Sequence, residues 1–442
     1  MVVLYLLISV LLIIFLTAHL KVHPFIVLLL VALLYGFLSG MSSTDIIRSV
    51  NEGFGKTLGG IGLIIILGII IGAFLENSGG AYTIAEKVLK VIGKDRVPSA
   101  MGIIGWFVSI PVFADSGFLL LAPLNKGLSK KANISLAGSA IALSLGLTAS
   151  HTMVPPTPGP IAASGILGAD IGLVLLIGIP VSLVAVTAGI IFATKFAAKT
   201  YIDPNPQISE EKLKQKSAGA PGALKSSLPV LVPILLIVLR STIHAFKGLN
   251  GTLIDLISFI GEPFVALLIG VFFALLLPRK LEKEMLSTTG WIGKSLSDAA
   301  SIILITGAGG IFGTVLQNSG IANVLGETLE GLNLSIWLPF LIAAAIKTAQ
   351  GSSTVALITT ASIIAPLMET LGFIDNLDKA MGVIAIGAGS AVVSHANDSF
   401  FWVVTQMSGM DTRMGYRLQS LGTLVVGTTS VITLFVVHLI FN

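Results

Sequence analysis

Residues 150–160 read Ser-His-Thr-Met-Val-Pro-Pro-Thr-Pro-Gly-Pro and interrupt an apolar run, 134–147, that has the character of a membrane helix. Prolines at 155, 156, 158 and 160 cannot continue a helix, because proline lacks the N–H and its ring clashes with the preceding turn. Unwound backbone is tolerated inside a bilayer only where protein or a watery cavity satisfies its polar groups. The stretch therefore marks a candidate solute site. A partner lies further on: Ser394-His395-Ala396-Asn397-Asp398-Ser399 interrupts another apolar run.

The membrane reading rests on composition. The chain is 54% hydrophobic and 11% charged, against about 25% charged residues in soluble proteins. Its formal charge of +4 comes from loop lysines, so it gives no reason to expect a nucleic-acid partner. Cysteine is absent, which removes disulfides and thiolate metal sites. Residues 2–18 are apolar with no basic residue before them, which predicts a retained first helix rather than a secretory signal.

Full spans are expected at 2–18, 24–41, 59–75, 172–194, 228–243, 259–277, 299–316 and 418–440, since a span needs about 20 mostly apolar residues. The stretches 134–165 and 380–405 are interrupted spans. Residues 98–124 and 335–371 carry polar centres, Phe113-Ala114-Asp115-Ser116-Gly117 and the segment from Lys347 to Thr354. Both are expected to be re-entrant hairpins. Residues 43–58 and 80–93 are too polar to span. The second has Ile84, Val88 and Val91 near helical spacing, which predicts a helix on the membrane surface.

The chain also repeats itself. Pro24-Phe25 matches Pro263-Phe264, Asn77-Ser78-Gly79 matches Asn318-Ser319-Gly320, and Ala122-Pro123-Leu124 matches Ala365-Pro366-Leu367. Ser150-His151 matches Ser394-His395, and Ser164-Gly165 matches Ser408-Gly409. The expected division is a first repeat over 1–195, a polar cytoplasmic linker over 196–227 and a second repeat over 228–442. Five crossings and one hairpin per repeat require the second copy to be inserted upside down, as in secondary transporters. The positive-inside rule supports this. With both termini extracytoplasmic, only Arg48, Lys56, Arg240, Lys247 and Lys379 fall in outside loops; Lys347 lies in a hairpin, and the other lysines and arginines fall inside.

The four polar breaks supply the candidate site. Helix ends there offer free N–H groups and a partial positive charge to a carboxylate. Asp115, Ser116, Gly117, His151, Thr152, Thr157, Gly351, Ser352, Ser353, Thr354, His395, Asn397, Asp398 and Ser399 are the candidate substrate-binding residues. Short hydroxyl and amide side chains suit a polyhydroxylated acid. Ionisable groups are costly in a membrane and mark function by default. Asp115, His151, His395 and Asp398 are accordingly the candidates for proton coupling. Bland readings stand beside these. The histidines could bond freed carbonyls, Asp115 could cap a half-helix, and Asp398 could be the ion-pair partner of Lys347, which could equally attract an anion. No P-loop, metal-binding spacing or hydrolase motif occurs, so neither an enzyme nor a cofactor is expected.

SIPVFADSGF (109–118), SHTMVPPTPGPIAASGILGADIG (150–172) and SHANDSFFW (394–402) resemble the gluconate permease family of gluconate:proton symporters, along essentially the whole chain. The resemblance implies a multi-pass protein of the bacterial inner membrane that imports gluconate or a related small hydroxylated carboxylate with protons. It also implies kinship with ion transporters that work as homodimers by an elevator movement. On that analogy the hairpins and broken helices form a mobile transport domain, and residues 2–41 and 228–277 form a scaffold and dimer interface. Sodium coupling and an anion channel are the alternatives.

Overall fold

The computed structural model describes residues 2–93, 96–204, 219–245, 251–321 and 335–441, and these form helices and turns without a strand. The first helix, α1 (Val2–Ile14), runs into a π turn at Phe15–His19. Helix α2 (Pro24–Leu38) starts at a proline, whose missing N–H would have been unpaired there anyway.

Helix α3 (Ser43–Asn77) is continuous over 35 residues, which corrects the expectation that 43–58 stands apart from the span at 59–75. Ser42 caps it by accepting from the Asp45 amide at 3.1 Å. At 1.5 Å per residue it is about 52 Å long, well beyond a hydrocarbon core of about 30 Å. Its polar half stays helical because it is packed on a later helix. Gly53 closes on the Gly310 carbonyl, and the Asn318 amide donates to the Ser49 hydroxyl at 2.8 Å.

Helix α4 (Gly80–Ile92) is the expected amphipathic segment, with Ala81, Tyr82, Ile84, Ala85 and Leu89 buried. Val91 is 76% exposed and lies off that stripe, so the buried face is rotated from the one the valines suggest. Helices α5 (Val97–Val108) and α6 (Ala114–Lys131) follow, then α7 (Leu136–Met153), α8 (Pro158–Leu167) and α9 (Ile171–Lys195). Helix α10 (Ala223–Ala245) contains Pro229 and Pro233. Helices α11 (Thr252–Ile260) and α12 (Pro263–Leu275) bend by 66° at their junction. Next come α13 (Trp291–Asn318), α14 (Trp337–Gln350), α15 (Ser353–Ile364), α16 (Asn376–Ser390) and α17 (Ser399–Ser408). A π turn, Tyr416–Ser420, leads into α18 (Leu421–Phe441).

Among the described residues, 5 helices are long and apolar enough to cross a membrane, and the bent α11–α12 pair makes 6. Leu11, Phe37, Phe259, Phe272 and Ile440 are each at least 60% exposed, a surface suited to lipid rather than water.

The order of elements recurs. Helices α2, α3 and α5–α9 are followed in the same sequence by α12, α13 and α14–α18. Gly79 and Gly320, with φ +77° and +75°, follow α3 and α13, as the two Asn-Ser-Gly triplets suggest. Gly168 and Gly409 close α8 and α17 with φ +66° and +69°. Two residues later, Asp170 and Asp411 cap the next helix, accepting from the amides of Leu173 and Met414 at 2.9 and 2.7 Å. Gly409 thus shares its helix-closing role with Gly168 rather than with Gly165. Residues 322–334, most of the polar linker (205–218), Lys94 and Lys247 lie outside the described residues.

Helix α13 packs on α3 and α2, α7 on α5 and α9, α14 on α16, and α18 on α9.

Candidate functional site

Four short breaks organise the centre: 109–113 between α5 and α6, 154–157 between α7 and α8, 351–352 between α14 and α15, and 391–398 between α16 and α17. A cavity of about 280 Å³ gathers residues from the first, third and fourth, together with Thr148, His151 and Thr152 from the last turns of α7. Its wall includes Asp115, Lys347, Gln350, Gly351, Ser352, Ser353, Thr354, Ser394, Asn397, Asp398 and Ser399.

One side is tightly tied. Lys347 is 2% exposed and Asp398 is 6% exposed. The Lys347 ammonium donates to Asp398 Oδ2 at 2.7 Å and also to the Gly351 carbonyl. The Ser394 hydroxyl donates to the same carboxylate oxygen at 2.5 Å, and the Phe400 amide to Oδ1 at 3.1 Å. Asp398 therefore both caps α17 and neutralises Lys347. Two buried charges are sustainable only with such geometry and with their remaining bonds filled. Lys347 thus forms the ion pair with Asp398 while standing in the cavity wall.

The break at 391–398 also caps α14. The Asn397 amide nitrogen donates to the carbonyls of Thr348 and Ala349, each at 2.9 Å, and the His395 Nε2 donates to the Thr348 carbonyl at 2.7 Å. These carbonyls end a helix and have no partner within it. Gly351, with φ +93°, makes the turn possible. A Cβ there would sit 2.2 Å from the Asn397 carbonyl oxygen.

The other side is not tied in this way. Asp115 lies in the first turn of α6, whose N-cap, Phe113, supplies no side-chain bond. The Asp115 side chain reaches the Ser399 hydroxyl, and its Oδ1 is buried without a hydrogen-bond partner among the described residues. His151 Nδ1 is in the same condition, with its ring centroid 6.0 Å from that of Phe113. The charges of Asp115, Lys347 and Asp398 lie close enough to act on one another.

Ten of the expected residues line the cavity: Asp115, His151, Thr152, Gly351, Ser352, Ser353, Thr354, Asn397, Asp398 and Ser399. Four do not. Gly117 faces Leu147 in the core, and Ser116 stands beside it on α6 away from the wall. The Thr157 hydroxyl is buried and spent on the Val154 carbonyl at 2.7 Å. His395 serves the end of α14 and stacks on Tyr416. The matched Ser-His pairs are consequently not equivalent in space, since His151 ends a helix while His395 lies inside a longer break. Thr148, Gln350 and Ser394 are additional wall residues. Thr148 is one turn before Thr152 on the same helix face, and that spacing would have found it. No group of three or more His, Cys, Asp or Glu side chains gathers as metal ligands among the described residues.

The family model described as GntP family permease matches residues 1–440. A permease of Haemophilus influenzae, described as uncharacterized, is 36% identical over 99% of this chain and 92% of its own length. The gluconate permease of Pseudomonas aeruginosa is 35% identical over 90% of this chain and 88% of its own. In fold, the chain is similar to the crystal structure of the Alcanivorax borkumensis YdaH transporter, with a TM-score of 0.66 at 14% identity over 94% of this chain and 98% of that one. Broken apolar helices around one polar cavity, together with full-length similarity to permeases, lead to one conclusion: the chain belongs to the GntP permease family and is a multi-pass membrane transporter, not an enzyme.

Proposed function

We propose that the protein imports gluconate, or a related small hydroxylated carboxylate, together with protons across the bacterial inner membrane. The charge balance of the cavity carries this reading. Lys347 and Asp398 are paired with each other, and Asp115 has no ion-pair partner of its own among the described residues. A carboxylate entering beside Asp115 meets like charge at low dielectric, and binding becomes favourable when a proton arrives with it. Asp115 is the first receiver of that proton and His151 the second; Asp398 is held in its ion pair, while His395 gives only Nε2 to the Thr348 carbonyl.

The cavity volume, about 280 Å³, is near the small end of ligand pockets. The first turn of α15, at Ser353 and Thr354, offers N–H groups to the carboxylate. The hydroxyls of Ser353, Thr354 and Ser399 suit a polyol chain. The name of the Pseudomonas aeruginosa relative supports gluconate as the type substrate. In this reading α5–α6 and α14–α15 are re-entrant hairpins of two inverted repeats, 1–195 and 228–442, with both termini extracytoplasmic. A homodimer, held through the scaffold helices of 2–41 and 228–277, moves the cavity by an elevator displacement.

Gluconate uptake into proteoliposomes, driven separately by a proton and a sodium gradient, tests the proposal. Uptake driven by protons alone is expected. In Asp115→Asn, gluconate exchange should persist while accumulation against a gradient fails. Sodium-driven uptake that ignores the proton gradient would refute proton symport.

A further inference from the structure

Asn397 makes two kinds of contact, and the first fixes the second. Its Nδ2 donates to the carbonyls of Thr348 and Ala349, each at 2.9 Å. The two ends of a side-chain amide have nearly the same shape, so hydrogen bonding decides which end is which. Turned over, the amide would set its oxygen against two carbonyl oxygens with no hydrogen between them. The end of α14 therefore locks the side chain in one orientation. Gly351 packs directly on the Asn397 backbone carbonyl, which holds the residue against the end of α14.

The locked orientation leaves Oδ1 on the opposite edge of the amide. That oxygen is buried and has no hydrogen-bond partner among the described residues, and Asn397 lines the cavity. An amide oxygen can only accept. Ser353, Thr354 and Ser399 on the same wall can rotate their hydroxyls to donate or accept as a ligand requires. Asn397 has no such freedom. A ligand atom placed against it must carry a polar hydrogen. A methylene group leaves the oxygen buried and unpaired, and a carboxylate oxygen repels it.

We infer that Asn397 determines specificity: its Oδ1 accepts from a hydroxyl of the bound acid, so the transporter selects acids with a hydrogen-bond donor beyond the carboxylate and rejects plain monocarboxylates and dicarboxylates. The inference rests on the import reading above and narrows its substrate class. It separates the two ends of the amide by task, with nitrogen holding the protein and oxygen reading the solute.

The test is calorimetric binding of gluconate analogues to the purified full-length protein. Each hydroxyl of gluconate is replaced in turn by hydrogen and by fluorine, which accepts weakly but cannot donate. At one position both replacements should weaken binding to the wild type by about tenfold or more. In Asn397→Ala that position ceases to matter, so gluconate and its deoxy analogue bind alike while differences at other positions persist. A purely structural role would weaken every ligand by one factor and leave the ratios intact. Unchanged ratios in the variant, or fluoro analogues that match gluconate at every position in the wild type, overturn the inference. The wild-type series decides the matter alone if the variant does not fold. Failure of the wild type to bind gluconate at all would sink the substrate reading itself, whereas binding without a donor-dependent position sinks only the assignment to Asn397.

Discussion

Replacing Lys347 with Met removes one partner of the ion pair with Asp398, whose charged atoms lie 2.7 Å apart at side-chain exposures of 3% and 8%. Breaking a buried pair from one side costs about 3–5 kcal/mol, because the remaining charge is stranded. The surroundings set where in that range each variant falls. After Lys347→Met the Asp398 carboxylate still accepts from the Ser394 hydroxyl and the Phe400 amide, which places the loss near about 3 kcal/mol. After Asp398→Asn the Lys347 ammonium keeps the Gly351 carbonyl but no carboxylate in contact, which places the loss nearer about 5 kcal/mol. The double variant Lys347→Met with Asp398→Leu strands no charge and should recover most of either loss, since apolar replacements of buried pairs are often neutral or stabilising. Equilibrium unfolding by SDS titration in mixed micelles returns these free energies, and the double-mutant cycle isolates the pair. Single losses below about 1 kcal/mol, or a double variant as unstable as the sum of the singles, would refute the claim that this pair holds the end of α14 against the break at 391–398.

Other perturbations follow from close backbone contacts. Gly351→Ala forces a side chain onto a residue at φ +93° with the Asn397 carbonyl oxygen 2.2 Å away. A left-handed conformation alone costs about 1–2 kcal/mol, so lower stability and weaker gluconate binding are expected, measured on the purified protein. Gly72→Ala places a Cβ 2.1 Å from the Pro111 carbonyl oxygen and pushes the first break away from α3. Uptake should fall well below that of Gly62→Ala, whose nearest neighbour is 3.9 Å away, and equal uptake by the two would show that the Gly72 contact is dispensable.

Much of this was legible in the chain. The breaks announce themselves by proline, glycine and ionisable residues inside apolar runs, and each is a real interruption of helix. Asp115, His151 and the segment from Gly351 to Thr354 stand at the cavity because helix ends carry polar groups wherever lipid forbids a loop. What was hidden depends on packing. Hydropathy separates 43–58 from 59–75, but helix continuity there is set by contact with α13, which no local window sees. Thr157 and His395 have the residue types of ligand-binding groups, yet the Thr157 hydroxyl and the His395 Nε2 donate to the Val154 and Thr348 carbonyls. The matched Ser-His pairs differ for a related reason. The break at 391–398 is longer than the one at 154–157, so His151 is helical while His395 is not. Asp170 and Asp411 do the same local job, each capping the helix that follows.

The placement of Gly68 and Gly72 on α3 has a mechanical consequence. The Pro156 carbonyl oxygen is 2.8 Å from where a Cβ of Gly68 would be, and that of Pro111 is 2.1 Å from the corresponding point on Gly72. Both kinked joints of the first half lean on a single rod, one helical turn apart. A twist or axial slip of that rod would disturb both packing contacts, because neither glycine has a side chain to cushion the carbonyl that rests on it.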